Sequence, residues 1–197
     1  MGQSNVNLAA LIGSRICHDL ISPIGAINNG LELLGMSEDR EGPELDLITE
    51  SVENASARIR FFRIAYGAAS DQPMGRSEVI TILRDMTGGG RLKVAYGPMD
   101  DQPRWAVRMA FLAIQCLETC MPYGGRVEAS CDSGQWTITG HSPKTNVDGD
   151  LWAVLTGGEL ETLAPAHVQF ALLPAVAGDV KRSITSEIGD ERLTIRF

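Results

Sequence analysis

A chain of 197 residues that is 44% apolar and 21% charged has the make-up of an ordinary globular protein, with room for one large domain or two small ones. Its formal net charge of −8, with no Lys/Arg-rich run, argues against a nucleic-acid ligand. No run of about 18 apolar residues is present to cross a membrane, and the polar N-terminus lacks a basic-then-apolar leader, so the expected location is the cytoplasm.

Met1 to Asn7 reads as a frayed lead, with Ser4 or Asn5 as a helix cap. A long helix then runs to about Gly35. Its apolar positions Leu8, Ile12, Ile16, Leu20, Ile24, Ile27, Leu31 and Leu34 recur by fours and threes and form one stripe. At roughly 100° per residue, His18 falls about 170° from the middle of that stripe. It therefore faces water or a partner. Ser14, Ser22 and Gly25 share its face and are small, so another surface can come close. Leu11 and Ile21 are apolar on the same face, which suits docking. Asp19 follows His18 directly. A carboxylate there can take the proton of one ring nitrogen and leave the other as a nucleophile. Pro23 cannot donate to the carbonyl of Asp19, so a bend one turn after the histidine is expected.

Met36 to Pro43 reads as a turn, followed by a second helix from about Pro43 to Gly67. Leu45, Ile48, Val52, Ala55, Ile59 and Phe62 make a seam spaced 3-4-3-4-3 on it. Two such helices form an antiparallel hairpin, which cannot bury its own seam. Pairing two hairpins into a dimeric four-helix bundle solves this, and so does packing onto the rest of the same chain. A homodimer is the expectation.

Residues 68–75 read as a linker, dividing a hairpin domain at 1–70 from a second domain at 76–197. In the second domain a helix is expected over Ser77–Met86, capped by Ser77 and ended by Gly88-Gly89-Gly90. Then come a strand over Leu92–Tyr96 and an apolar helix over Pro103–Met121. Strands at Arg126–Cys131 and Gln135–Gly140 are joined by Asp132-Ser133-Gly134. Helices at Leu151–Leu155 and Pro165–Ala177 follow, then strands at Lys181–Ile188 and Glu191–Phe197. Helices mixed with paired strands make this an α+β chain, with helices on one face of the sheet. Cys17, Cys116, Cys120 and Cys131 form no Cys-x-x-Cys pair. Cys116 and Cys120 could join His141 or His167 around zinc, but buried thiols acting as small apolar side chains are the simpler reading, and no metal site is assigned.

The run His18-Asp19-Leu20-Ile21-Ser22-Pro23-Ile24-Gly25-Ala26-Ile27 resembles the phosphoacceptor box of histidine kinases. The fuller run from Ser14 to Leu34 resembles the ChpT-type histidine phosphotransferases of alphaproteobacteria. That likeness implies a dimeric bundle with one outward His18 per subunit. The second domain resembles a degenerate histidine-kinase ATP-binding (Bergerat) domain, an α/β sandwich, anchored at Leu117 to Val127. The place of that family's magnesium-holding Asn falls near Gln115 and Cys116, and no Asn occurs between Thr81 and Thr145. His141-Ser142-Pro143-Lys144-Thr145-Asn146 stands where an Asp-x-Gly-x-Gly loop would read adenine. Cys cannot supply the hard oxygen ligand that Mg²⁺ prefers, so no cofactor is expected on this chain.

The resemblance thus implies a phosphorelay. The receiver domain of a hybrid histidine kinase gives a phosphoryl group to His18, which passes it to the receiver of a response regulator. Any Mg²⁺ belongs to the receiver. Asp19 would orient the imidazole or take its proton, and Ser22 would meet the receiver or phosphoryl oxygens. Leu11, Ser14, Arg15, Ile21 and Gly25 would form the docking face. An ATP-using kinase of the same superfamily, and a non-catalytic dimeric adaptor that docks regulators, remain as alternatives.

Overall fold

The structure is a computed structural model that describes residues 2–36, 43–67, 70–158 and 162–197. The turn expected at 37–42 and the first linker positions, 68–69, lie outside the described residues. Helix α1 spans Gly2–Met36 with Pro23 inside it, and α2 spans Pro43–Ala65. They pack side by side as the expected hairpin. Gly30 is a point of close approach between them: a Cβ there would lie 2.5 Å from Cγ1 of Ile48.

The second half builds a five-stranded sheet in the order β2-β4-β5-β7-β6, from β2 (Leu92–Tyr96), β4 (Gly125–Asp132), β5 (Gln135–His141), β6 (Thr185–Ile188) and β7 (Arg192–Arg196). Only β2 and β4 run parallel, as the crossover through α4 (Arg104–Cys120) requires. The β4–β5 hairpin turns through Ser133 and Gly134, both at positive φ. Val127, Ala129, Trp136 and Ile138 point to the covered face, where α4 lies on β4 and β5 and α3 (Arg76–Thr87) lies against β2. On the other face Arg126, Glu128 and Ser130 stay exposed, the alternation of a one-sided sheet. Helix α6 (Val168–Asp179) packs beside α4, and the short α5 (Gly149–Val154) beside α6. The α+β class therefore holds. Among the described residues no helix is long and apolar enough to cross a membrane.

Several local expectations are corrected. Ser77 is not the cap of α3, because the helix begins at Arg76 and Gly75 takes the cap position with no side-chain bond. The strand expected from Lys181 starts only at Thr185. Lys181, at φ 56°, and Arg182 instead close α6, donating to the carbonyls of Gly178 and Ala177. The helix expected from Pro165 splits into a 3-10 turn, Pro165–His167, and α6. A two-residue ladder, β1 (Pro73–Met74) with β3 (Gln102–Pro103), occupies part of the expected linker.

The hairpin does not stand apart. Phe61, Phe62, Ile64 and Ala65 at the end of α2 are buried in the same core as α3, α4 and the sheet. Phe61 stacks on Phe111 of α4 with centroids 4.7 Å apart and planes 6° from parallel. Arg108 donates to the carbonyl of Ala65 at 3.2 Å and Arg104 to that of Arg63, so two cations close the C-terminus of α2. Burial holds the Arg108 pKa below its usual value, against the pull of Asp179.

The apolar stripe of α1 is covered in two ways. Leu8, Ile12 and Ile16 are half-buried against the shared core that holds α4 and the sheet. Further along, Ile24 and Leu31 are 50% and 53% exposed, and on α2 Leu45, Val52 and Ile59, spaced by sevens, are 42%, 46% and 53% exposed. The first part finds its cover within the chain, while the second part has none among the described residues.

Candidate functional site

His18 sits mid-way along α1 with its side chain 82% exposed. Its Nδ1 lies 3.2 Å from Oδ1 of Asp19. A carboxylate accepts and does not donate, so the ring proton belongs on Nδ1 and the lone pair on Nε2, which is turned to water. Asp19 itself is only 10% exposed. Its second oxygen, Oδ2, accepts from Nε of Arg15 at 2.7 Å, one helical turn back. Arg58 on α2 places Nη1 3.9 Å from the same Oδ2, and its Nε is held by Oδ1 of Asn54 at 2.8 Å.

Arg15 reaches further. Its Nη1 donates to the carbonyl of Ala166, in the 3-10 turn that leads into α6. Glu118, near the end of α4, keeps an exposed edge, but protein on its inner side pushes its carboxyl pKa up. Arg15 and Arg58 pull it back down, which puts it within electrostatic reach of the same two guanidiniums. Below this cluster Tyr66 donates to Oε1 of Gln115 at 3.2 Å, and burial raises the phenol's pKa against the effect of Arg15. Thr119 donates to the carbonyl of Gln115 and accepts from Nε2 of Gln169 at 2.9 Å.

Of the residues named from sequence, Ser14, Ser22 and Ile21 are exposed around His18, with Ile21 at 68%. Leu11 is half-buried. Gly25 is half-buried too, and a Cβ there would meet nothing within 4 Å, so its small size leaves an open spot on the face. Arg15 differs from the others, since its guanidinium is turned onto Asp19 and Ala166. Arg58, Glu118, Tyr66 and the Ala166 carbonyl were not found from sequence. Arg58 sits next to Ile59 of the seam, a weak signal, and a backbone carbonyl 151 residues from Arg15 leaves none.

Where the resemblance places the magnesium-holding Asn, Gln115 and Cys116 are buried at 2% and 0% exposure. One turn further along α4 a cleft of about 180 Å³ opens, lined by Thr119, Cys120, Asn146, Asp148, His167 and others. It is smaller than the roughly 300–1,000 Å³ of ordinary ligand pockets. The Asp148 carboxylate caps α5, accepting from the amides of Asp150 and Leu151. Burial raises the Cys116 thiol well above its usual range and the Cys120 thiol to about 11. Among the described residues no group of three His, Cys, Asp or Glu side chains is placed to hold a metal.

The family described as "Histidine phosphotransferase C-terminal domain" matches residues 76–192. The protein phosphotransferase ChpT of Brucella abortus (strain 2308) is 59% identical over 69 residues, 34% of this chain and 31% of that protein, so the match spans about a third of the relative's length. A bacterial phosphotransferase solved at 1.7 Å is 28% identical, with a TM-score of 0.81 over 97% of this chain and 95% of the other. The histidine kinase ThkA, solved in complex with the response regulator TrrA, is 11% identical with a TM-score of 0.50 over 99% of this chain and 62% of the other, a likeness of fold. With more than half its length matched by that family, the chain belongs to the histidine phosphotransferases.

Proposed function

We propose that the chain relays phosphoryl groups between receiver domains through Nε2 of His18. The observation that carries this reading is the His18–Asp19 pair: an exposed ring whose Nδ1 faces a carboxylate, leaving Nε2 open as a nucleophile. The donor is a phosphoaspartate on the receiver of a hybrid histidine kinase. The Nε2 lone pair attacks phosphorus, the P–O bond to the aspartyl oxygen breaks, and its electron pair leaves with the carboxylate. The imidazole gains positive charge as the N–P bond forms, and Asp19 faces the Nδ1–H that carries it. In the second transfer a carboxylate of the response regulator attacks phosphorus, and the N–P electron pair returns to Nε2. Nothing is consumed in the sum. Any Mg²⁺ sits with the receiver, and this chain supplies the nucleophile and its positioning. Small Ser14, Ser22 and Gly25 and the exposed apolar Ile21 surround His18 with a face on which a receiver can seat.

The burial of Gln115 and Cys116 supports a reading without ATP. The homodimer belongs to the same proposal. Ile24, Leu31, Leu45, Val52 and Ile59 form an exposed apolar continuation of the hairpin. A groove of about 860 Å³ runs beside Val52 and Ile59 toward Arg84 and Gly88. A second hairpin laid on this seam would complete a four-helix bundle.

The test is phosphate labelling of the purified chain by a phosphorylated receiver and, separately, by Mg²⁺-ATP, with His18→Ala as control. Acid-labile label from the receiver alone, absent in His18→Ala, is the expected outcome. Label from ATP alone makes the chain a kinase. Absence of label with intact receiver binding makes it an adaptor.

A further inference from the structure

We infer that Arg15 and Arg58 are positioning residues for the phosphoacceptor, and that the second domain, through the Ala166 carbonyl, takes part in setting the His18 ring. This rests on the relay reading above and deepens it.

The two oxygens of Asp19 have divided roles. Oδ1 faces His18 at 3.2 Å, while Oδ2 faces Arg15 at 2.7 Å and Arg58 at 3.9 Å. A carboxylate on an open helix face rotates freely about its last bond and pairs with water as readily as with a ring. Here the rotation is stopped from three elements. Arg15 comes from α1, with its far end tied to Ala166 of the 3-10 turn. Arg58 comes from α2, with its Nε tied to Asn54. Asp19, Arg15 and Arg58 side chains are 10%, 17% and 32% exposed, so solvent screens the cluster less than it would a surface pair. With Oδ2 held, Oδ1 is left for Nδ1–H.

The consequence is a tautomer. A neutral histidine side chain free in water prefers its proton on Nε2, which is the nitrogen that must attack. The held carboxylate reverses that preference and keeps the lone pair on Nε2. Glu118 on α4 feels the same two guanidiniums at longer range, while the direct pairing is with Asp19. Loosening either arginine lets the carboxylate swing, and the inactive tautomer gains. Fixing a reacting group through its neighbours in this way is positioning, and mispositioning costs roughly ten- to hundredfold in rate.

The experiment reads the ring itself. Two-bond ¹⁵N–¹H correlation spectra of the full chain, taken where His18 is neutral, should show the proton mainly on Nδ1. In Arg15→Gln and in Arg58→Gln the Nε2–H tautomer should become dominant. In Arg58→Lys, which keeps a cation near Oδ2, most of the original tautomer should return. Phosphorylation of His18 by phosphoramidate, a small donor that needs no docking, should fall about tenfold or more in both Gln variants, by the same reasoning. Circular dichroism melts establish that the variants are folded. An unchanged tautomer in folded Arg15→Gln and Arg58→Gln overturns the inference. So does loss of transfer from a receiver that appears only in KM with the phosphoramidate rate intact, because the arginines would then be docking residues. A shifted tautomer in a chain that no donor phosphorylates keeps the positioning and removes the relay.

Discussion

Replacing Phe61 by Ala tests whether hairpin and sheet domain are one folding unit. Phe61 is 2% exposed and Phe111 is 0% exposed, and their rings stack at 4.7 Å. Removing a buried Phe side chain costs about 3–5 kcal/mol, from lost transfer free energy together with the cavity left behind. The aromatic pair itself contributes about 0.5–1.5 kcal/mol of that. For a chain of this size each kcal/mol lowers Tm by about 2–4 °C, so Phe61→Ala should lower it by roughly 6–20 °C. Because Phe61 shares its core with α4 and the sheet, the loss should move the whole transition. Far-UV circular dichroism and tryptophan fluorescence, the latter from Trp105, Trp136 and Trp152 of the second half of the chain, should shift together. If the fluorescence transition stays in place while only the helical signal melts early, the shared core is wrong. Phe61→Leu fills most of the space but loses the ring stack, and should cost less than Phe61→Ala.

Asp19→Asn keeps the shape but changes the contacts: the amide oxygen goes to Arg15, and its NH₂ then faces Nδ1, which must become an acceptor. The ring proton moves to Nε2, and single-turnover transfer from a phosphorylated receiver should fall roughly hundredfold. Val52→Asp combined with Ile59→Asp places two charges in the exposed seam and should give a monomer by light scattering, while the wild-type chain remains a dimer. Wild-type mass from a folded double variant would refute the seam as the interface. The Cys120 thiol, raised from 9.0 to about 11, carries about a hundredfold less thiolate than a free cysteine at pH 8, so iodoacetamide should label exposed Cys17 long before it. Because the folded pKa lies above the unfolded one, the native state holds more protons between the two. Its stability should therefore be full below about pH 9 and decline as pH rises toward 11, with a shallower decline in Cys120→Ala.

Much of this molecule was legible along the chain. The 3-4 spacing set out α1 and α2, and alternation set out β4 and β5, because those patterns record which face of a single element is buried. The exposure of His18 was legible for the same reason, since it lies about 170° from the middle of the stripe, and the resemblance to a phosphoacceptor box singled it out. The parts that were not legible depend on distant segments. The β1–β3 ladder pairs two residues with two others through backbone bonds, which leave no side-chain pattern. The start of β6 shifted because Lys181 and Arg182 close a helix, a backbone event that a strand-forming composition hides.

The sequence by itself determined that a hairpin carries an outward histidine beside a carboxylate, since helix periodicity needs only neighbours within two turns. Only the tertiary structure decided which half of the apolar stripe the chain covers for itself, with Leu8, Ile12 and Ile16 inside and Ile24 and Leu31 out. It also decided the company that Asp19 keeps. Arg58 arrives from another helix and Ala166 from a 3-10 turn 151 residues further along the chain. Contacts of that kind come from how the elements pack, and no periodicity in one strand of text records them.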